Sequence, residues 1–427
     1  MSPAAAGSTG QDKDRPWYEA LGVEGGGHFR VGGSLSWYQG KDFMRVLGHN
    51  PFADAFEELR LKARVSPSNW CRFEVHYENI LTGGDTRRLS QGMNLPFTEA
   101  VNPSGIGTVR AMSDDSRLMD LTQDIYETDT WIWYQRLDRL NVTLLPDWGV
   151  IRLGRQALTW GHGMIFNPLD LFNPFAPTDI YRDYKIGDDM AVMEFPLARS
   201  SNLQFLYVAR RNPETGQLGF DEASLAGKFH FALGTNEMEF LAAHHYEDVV
   251  VGMGSLGYLG AAAWRADVSY TFLGSEAKDQ EGFVSLVANL DYSWTWWDKN
   301  VYGLVEFYYN GLGERNYWDT LTNPPLAQRL ARGELFTLGR IYLAGSIQIE
   351  LHPLLSLYVS LITNLQDPSG IVQPRAVWGI TQNLELTVGT DIIYGGPGSE
   401  CGGIDIPQSG LVAGPPQQIY GWLTYYF

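Results

Sequence analysis

The chain has 427 residues, with 31 basic and 49 acidic side chains, a net charge of −18 and only 19% charged residues. It is 13% aromatic, with 14 Trp, 22 Tyr and 20 Phe, and holds 47 Gly and 2 Cys at a mean hydropathy of −0.19. This balance excludes a nucleic-acid surface, a disulfide scaffold and, with no Cys-x-x-Cys-His, a covalent c-type haem, while the aromatic load is unlike disorder.

A large soluble β protein or a membrane β-barrel remains. No stretch reads as a transmembrane helix, which needs ~20 unbroken apolar residues. Val249 to Trp264 is rich in Gly, and Ile406 to Phe427 contains Pro415-Pro416. Met1 to Gly10 shows neither a basic nor an apolar signal region. Ser2 to Gly7 looks like the small-residue end of one. Residues 1–24 are therefore expected to be a flexible segment at a mature or truncated start.

Period-2 alternation then runs to the end of the chain. Strands are predicted at 27–38, 55–65, 69–80, 129–145, 148–158, 188–197, 201–211, 222–234, 236–247, 249–258, 261–273, 282–295, 299–309, 335–351, 354–364, 370–380, 383–394 and 418–427. In the first, Phe29, Val31, Leu35 and Trp37 face one way and His28, Arg30, Ser34 and Ser36 the other. A soluble sandwich would alternate in the same way. The connections discriminate. Short gaps such as Pro146-Asp147, Leu259-Gly260 and His352-Pro353 take turns with long ones at 39–54, 81–128, 159–187, 212–221, 274–281, 310–334 and 395–417. Tight turns on one rim and long loops on the other mark a transmembrane barrel. The fold expected is all-β: one antiparallel transmembrane barrel over 25–427, of about 18 strands (16–18), with long extracellular loops and short periplasmic turns.

Trp294, Trp296 and Trp297 flank a short turn, and Trp131, Trp133 and Tyr134 open a strand. Such clusters suit the headgroup depth of a bilayer. The last strand, Gln418 to Phe427, places Ile419, Gly421, Leu423, Tyr425 and Phe427 on one face. It resembles the terminal strand that the barrel-insertion machinery reads in bacterial outer-membrane proteins. Cys71 near the short-turn rim and Cys401 in a long loop should be unpaired, being at opposite ends.

The segment 159–187 is too apolar to stand in water. Leu158, Trp160, Met164, Ile165, Phe166, Leu169, Leu171, Phe172 and Phe175 need burial, which folding back into the lumen would supply. Arg182, Asp183, Lys185, Asp188 and Asp189 follow and would bring both charge signs to a constriction. Within this stretch Gly154-Arg155-Gln156, Trp160-Gly161-x-Gly163, Phe166-Asn167-Pro168-x-Asp170, Asn173-Pro174 and Arg182-Asp183-Tyr184-Lys185 resemble a family of porin-like outer-membrane barrels of Gram-negative bacteria. The resemblance covers roughly 35 residues. It implies a passive channel in the outer membrane. Because some members stand beside multihaem cytochromes, it also raises an alternative: a barrel sleeve around such a cytochrome, with haem only in the partner.

Polar strand faces supply the other lumen candidates. Glu58, Arg60, Lys62 and Arg64 share one face, as do Arg72, Glu74, His76 and Glu78; Arg136, Asp138, Arg152 and Gln156 continue the series. Opposite signs on adjacent strands can pair and set a transverse field. The candidate lumen and constriction residues are Arg60, Arg64, Arg72, Glu74, Arg136, Asp138, Arg152 and Gln156, together with Trp160, Phe166, Asp170, Arg182, Asp183 and Lys185. Glu237, Glu239 and His245 share a face, but His244-His245 turns only one imidazole inward, so no metal site is expected. Asp114, Asp115, Asp120, Asp124, Glu127 and Asp129 make the loop 81–128 acidic, which reads as a solvated surface. No Gly-x-Ser-x-Gly, His-Glu-x-x-His or phosphate loop occurs. No enzymatic activity and no cofactor of the chain's own are expected.

Overall fold

Eighteen antiparallel strands close into a barrel in the computed structural model, which describes residues 22–90, 114–197, 200–274, 280–317, 320 and 323–427. Of the segment expected at 1–24, all before Gly22 lies outside these residues, as do Ala198 and Arg199 of a predicted turn and parts of the loops 81–128, 274–281 and 310–334.

The elements run β1 Val23–Trp37, β2 Phe52–Ser68, β3 Cys71–Gly84, β4 Thr122–Glu127, β5 Trp131–Leu144, β6 Val150–Gln156, β7 Asp188–Leu197, β8 Ser201–Val208, β9 Ser224–Leu233, β10 Asn236–His245 and β11 Asp248–Leu259. There follow β12 Ala262–Phe272, β13 Gly282–Trp296, β14 Lys299–Asn310, β15 Ile341–His352, β16 Leu355–Asn364, β17 Ser369–Gly379, β18 Leu384–Tyr394, β19 Ile404–Ile406, β20 Leu411–Ala413 and β21 Gln417–Tyr426. Each wall strand pairs with its chain neighbour, except that β3 pairs β5 and β18 pairs β21. The seam closes where β21 pairs β1, from Trp37↔Gln417 to His28↔Tyr426. Closure leaves no unpaired edge, which hydrocarbon would penalise by several kcal/mol per group.

The alternation sorts inside out. Phe29, Val31 and Leu35 are 36–44% exposed, whereas His28, Arg30, Ser34 and Ser36 are at most 6% exposed. An apolar exterior around a polar interior is the wrong way round for water and the right way round for lipid. At the short-turn rim, Trp297 and Asp298 both take positive φ, the geometry of a tight hairpin. The Trp296 and Trp297 rings stack there with centroids 4.5 Å apart. Cys71 and Cys401 are free.

Several elements differ from expectation. The strand predicted at 335–351 begins at Ile341, and the connection before it holds a helix, Pro324–Ala331. Asn323 caps that helix and Pro324-Pro325 starts it, a strong local start signal. The strand predicted at 201–211 stops at Val208. The acidic loop 81–128 is not merely a solvated surface: it contains β4, which pairs the upper half of β5. Asp114, 6% exposed, forms ion pairs with Arg117 at 2.7 Å and Arg155 at 3.0 Å. Leu137 N donates to Leu121 O, Arg211 N donates to Ser116 O, and Arg117 bridges Arg210. The stretch 114–127 therefore mends the wall where β6 ends early, since β6 meets β5 only from Leu140 to Leu144.

Candidate functional site: a loop held across the lumen

β6 and β7 end early because the chain between them, residues 157–187, turns inward. Two apolar footings receive it. Trp160, Leu169 and Phe172 pack on Met190, Val192, Leu206, Val208, Leu241, Ala243 and Val250. Phe166 stacks on Tyr308 with centroids 4.4 Å apart and also meets Tyr342. Under the loop, β7 to β11 thus turn apolar side chains inward at these positions, where a water-filled wall would be polar. Burial does not extend to the whole segment: Met164 and Phe175, expected to be covered, are 49% and 40% exposed.

The tip is held by charge. Glu239 on β10 accepts from Gly161 N at 2.9 Å, and Asp267 on β12 accepts from His162 N at 2.5 Å and Gly163 N at 3.0 Å. Glu306 on β14 accepts from Met164 N, Ile165 N and Phe166 N at 2.6–3.1 Å. Six consecutive backbone N–H groups are therefore satisfied by three carboxylates on alternate wall strands. Charge-assisted bonds of this kind are roughly twice as strong as neutral ones. The tip must lie close and bend tightly, which explains its glycines. Gly161 has φ +82°, and a Cβ on Gly163 would stand 1.9 Å from Phe166 O.

The return arm crosses to the opposite wall. Gln373 donates to Thr178 O at 3.2 Å, and Arg375 to Ile180 O at 3.4 Å. Arg30 donates to Tyr181 O at 2.7 Å and pairs with Asp183, while Tyr181 Oη donates to Glu58 at 2.8 Å. Lys62 reaches Tyr184 Oη at 2.5 Å, and Arg60 lies 4.3 Å from that ring's centre. Lys185 pairs with Asp170 at 2.6 Å and ties the two arms together. Burial pushes the Asp170 carboxyl up to about 6 against the pull of Lys185, and the same burial lowers the Lys185 amine.

The wall carries a ladder of ion pairs from β2 to β6. Arg60 sits between Glu78 and Asp138, and Arg136 also pairs with Glu78. Arg64 lies 3.8 Å from Glu74. Arg72 and Arg152 flank Thr143 at one level; among the described residues neither has a carboxylate partner. The expected lumen residues separate accordingly. Arg60, Arg64, Arg72, Glu74, Arg136, Asp138 and Arg152 stand on the inner wall. Gln156, Trp160, Phe166, Asp170 and Lys185 are buried at the loop's root and footings. Asp183 pairs with Arg30, and Arg182 lies 3.2 Å from Asp179.

Sequence reasoning singled out neither Asp267 nor Glu306. Inward parity on strands facing a Gly-rich loop is the signal that finds them. His162 Nδ1, Glu239 and Asp267 bring ligand atoms within 4.8 Å of one another, the geometry of a small-cation site. Each is already engaged. His162 lies 3.0 Å from Asp267, Glu239 accepts from Gly161, and Lys228 stands 3.2 Å from Glu239. The group works as a latch on the loop tip.

No protein-family model matches the sequence, and no curated protein does. Solved structures resemble it in fold. OccAB1 of Acinetobacter baumannii has a TM-score of 0.53 at 8% identity, over 95% of this chain and 96% of that one. A BenF-like porin of Pseudomonas fluorescens Pf-5 has 0.51 at 9%, over 95% and 98%. Wzi of Escherichia coli, a carbohydrate-binding β-barrel involved in group 1 capsule assembly, has 0.50 at 9%, over 93% and 84%. The chain is a porin-like barrel of eighteen wall strands, and its apolar belt places it in a bacterial outer membrane.

Proposed function

We propose that the protein is a passive channel for small hydrophilic solutes, narrowed by the segment 157–187. The observation that carries this reading is the loop tip held by Glu239, Asp267 and Glu306 while its return arm is held by Arg30, Glu58 and Lys62. Such a strut shrinks an eighteen-strand lumen without closing the wall around it. The charges flanking the strut are unequal. On one side Arg60, Arg64 and Arg136 are paired with Glu74, Glu78 and Asp138 while Arg72 and Arg152 have no carboxylate partner among the described residues; Glu239, Asp267 and Glu306 stand on the other. Solutes passing between them feel a transverse field. Arg182 and Asp183 extend it onto the loop itself.

Purified protein in a planar bilayer tests the reading: stepwise ionic conductance is expected, and a folded, heat-modifiable barrel without conductance would overturn it. A sleeve for a multihaem cytochrome is the weaker reading, since the lumen such a partner would fill is spanned by the chain's own residues. Strand β21, with Ile419, Leu423, Tyr425 and Phe427 outward, is the segment we assign to recognition by the insertion machinery.

A further inference from the structure

Among the described residues, the arginines of the wall strands meet a carboxylate, save three. From Arg30 on β1 to Arg265 on β12 the rest are paired. Arg375 on β17 is met otherwise: it lies 4.9 Å from the Tyr358 ring centre and donates to Ile180 O at 3.4 Å. Arg72 on β3 and Arg152 on β6 remain. They stand beside one residue, because Thr143 on β5 is the register partner of Arg72 on one side and of Arg152 on the other. Neighbouring strands lie ~4.8 Å apart, so the two backbones are about 10 Å apart, within the joint reach of two arginine side chains. All three residues stand near the short-turn mouth, where β3 begins at Cys71 and β6 at Val150. The carboxylates at nearby inward positions are occupied. Glu74 meets His76 at 3.2 Å, Arg64 at 3.8 Å and Asn141 at 3.1 Å, and Glu194 accepts from Asn202 at 3.3 Å and Gln204 at 3.0 Å.

What remains at this spot is donors. Arg152 Nε donates to Thr143 Oγ1 at 3.3 Å and Nη1 to Gln156 Oε1 at 3.4 Å, which orients the guanidinium and leaves Nη2 unengaged. Arg72 is exposed to the lumen, and among the described residues none accepts from it. The chain carries −18 overall, so the pair is a positive spot in an acidic molecule. Two guanidinium forks without a carboxylate between them select an anion. A cation is repelled, and a neutral polyol finds no free carboxylate for its own protons. A planar carboxylate engages one fork through its two oxygens. A tetrahedral dianion has oxygens enough to face both forks at once, and its double charge draws on both.

We propose that Arg72 and Arg152 form a subsite for a phosphoryl group, carried by free phosphate or by a small phosphate monoester, at the short-turn mouth of the lumen. It rests on the channel reading for its use and adds a solute class to it, while binding itself does not require conduction. Calorimetry on the full-length protein in detergent, at low salt, titrated with inorganic phosphate, glycerol 3-phosphate and acetate, is the test. Saturable binding of at least one phosphate is expected, about tenfold or more tighter than acetate, and the tighter of the two phosphates identifies the source. Arg72→Gln and Arg152→Gln should each weaken it about tenfold. Arg72→Lys keeps the charge without the fork and should fall between wild type and Arg72→Gln. Should Arg152→Gln disturb Gln156, Arg72→Gln still decides, since Arg72 braces nothing; a heat-modifiability gel checks that the barrel is intact. The proposal is overturned if neither phosphate binds saturably, if acetate binds equally well, or if Arg72→Gln leaves the affinity unchanged. Conductance without phosphate binding defeats this proposal and leaves the channel reading standing; phosphate binding without conductance does the reverse.

Discussion

Glu306 accepts from three successive backbone N–H groups, and a fourth donor, Asn289 Nδ2, lies 3.0 Å away. Hydrogen bonds to a buried charge are each worth roughly 1.5–3 kcal/mol, and stripping the acceptor leaves the donors unmet. Glu306→Ala should therefore release the loop tip. Limited proteolysis would then cut within 157–187, and single-channel current would become noisier; a quiet, resistant variant would contradict the strut. Gly161→Ala should act in the same direction. It forces a side chain into φ +82° and sets a Cβ 2.2 Å from Asn167 Oδ1, at a cost of about 1–3 kcal/mol for the backbone alone. Asp42 gives a pH test outside the wall. It accepts from Met44 N at 2.8 Å and Gly414 N at 3.0 Å, joining two rim loops. Burial pushes its carboxyl up to about 6. A raised carboxyl favours folding in its protonated form. Its contribution is complete below the ordinary value and is lost as pH rises through about 6. The Met44 and Gly414 amides, corrected for intrinsic exchange, should be better protected at pH 5 than at pH 7.

At the scale of elements, the stretch 114–127 has the most to teach. Its acidic composition suggested solvation, yet Asp114 is locked to Arg117 and Arg155 and Asp189 holds the other side of Arg155. Breaking a buried pair by removing one partner costs about 3–5 kcal/mol, because the remaining charge stays buried. Asp114→Ala should lower the temperature at which the folded band converts on a heat-modifiability gel. A surface-solvated Asp would leave it unchanged. Alternation and loop length made the wall strands legible in the sequence, since both follow from the backbone alone. β4 was not legible: its partners, Thr122↔Arg136 to Glu127↔Ile132, depend on β6 stopping short. Nor was the start of β15, where Asn323-Pro324-Pro325 overrode a strand-like pattern.

At the scale of the whole barrel, two arginines on one side of the inner wall are left without a paired carboxylate. Arg72 and Arg152, level with each other and without carboxylate partners among the described residues, stand on the inner wall away from the loop's carboxylate anchors. Potentials of this kind bias which ion enters a confined, low-dielectric path. Arg72→Gln with Arg152→Gln should shift the reversal potential in a KCl gradient toward cation preference. No shift would mean that permeant ions do not pass this wall. The candidate site was readable only in part. The motif pointed to an inward loop, and charged strand faces pointed to the wall. Which carboxylates meet which N–H groups depends on strands up to 142 positions away in the chain.

That separation has a consequence in time. The tip's acceptors on β10, β12 and β14 and the apolar footing on β7 to β11 lie within one consecutive run of strands, whereas the return arm's anchors on β1 and β2 and on β17 lie on opposite sides of the seam. The tip therefore has its partners before the barrel closes, and the return arm gains its full set only when the first and last strands meet. The brace across the bore is completed by closure itself.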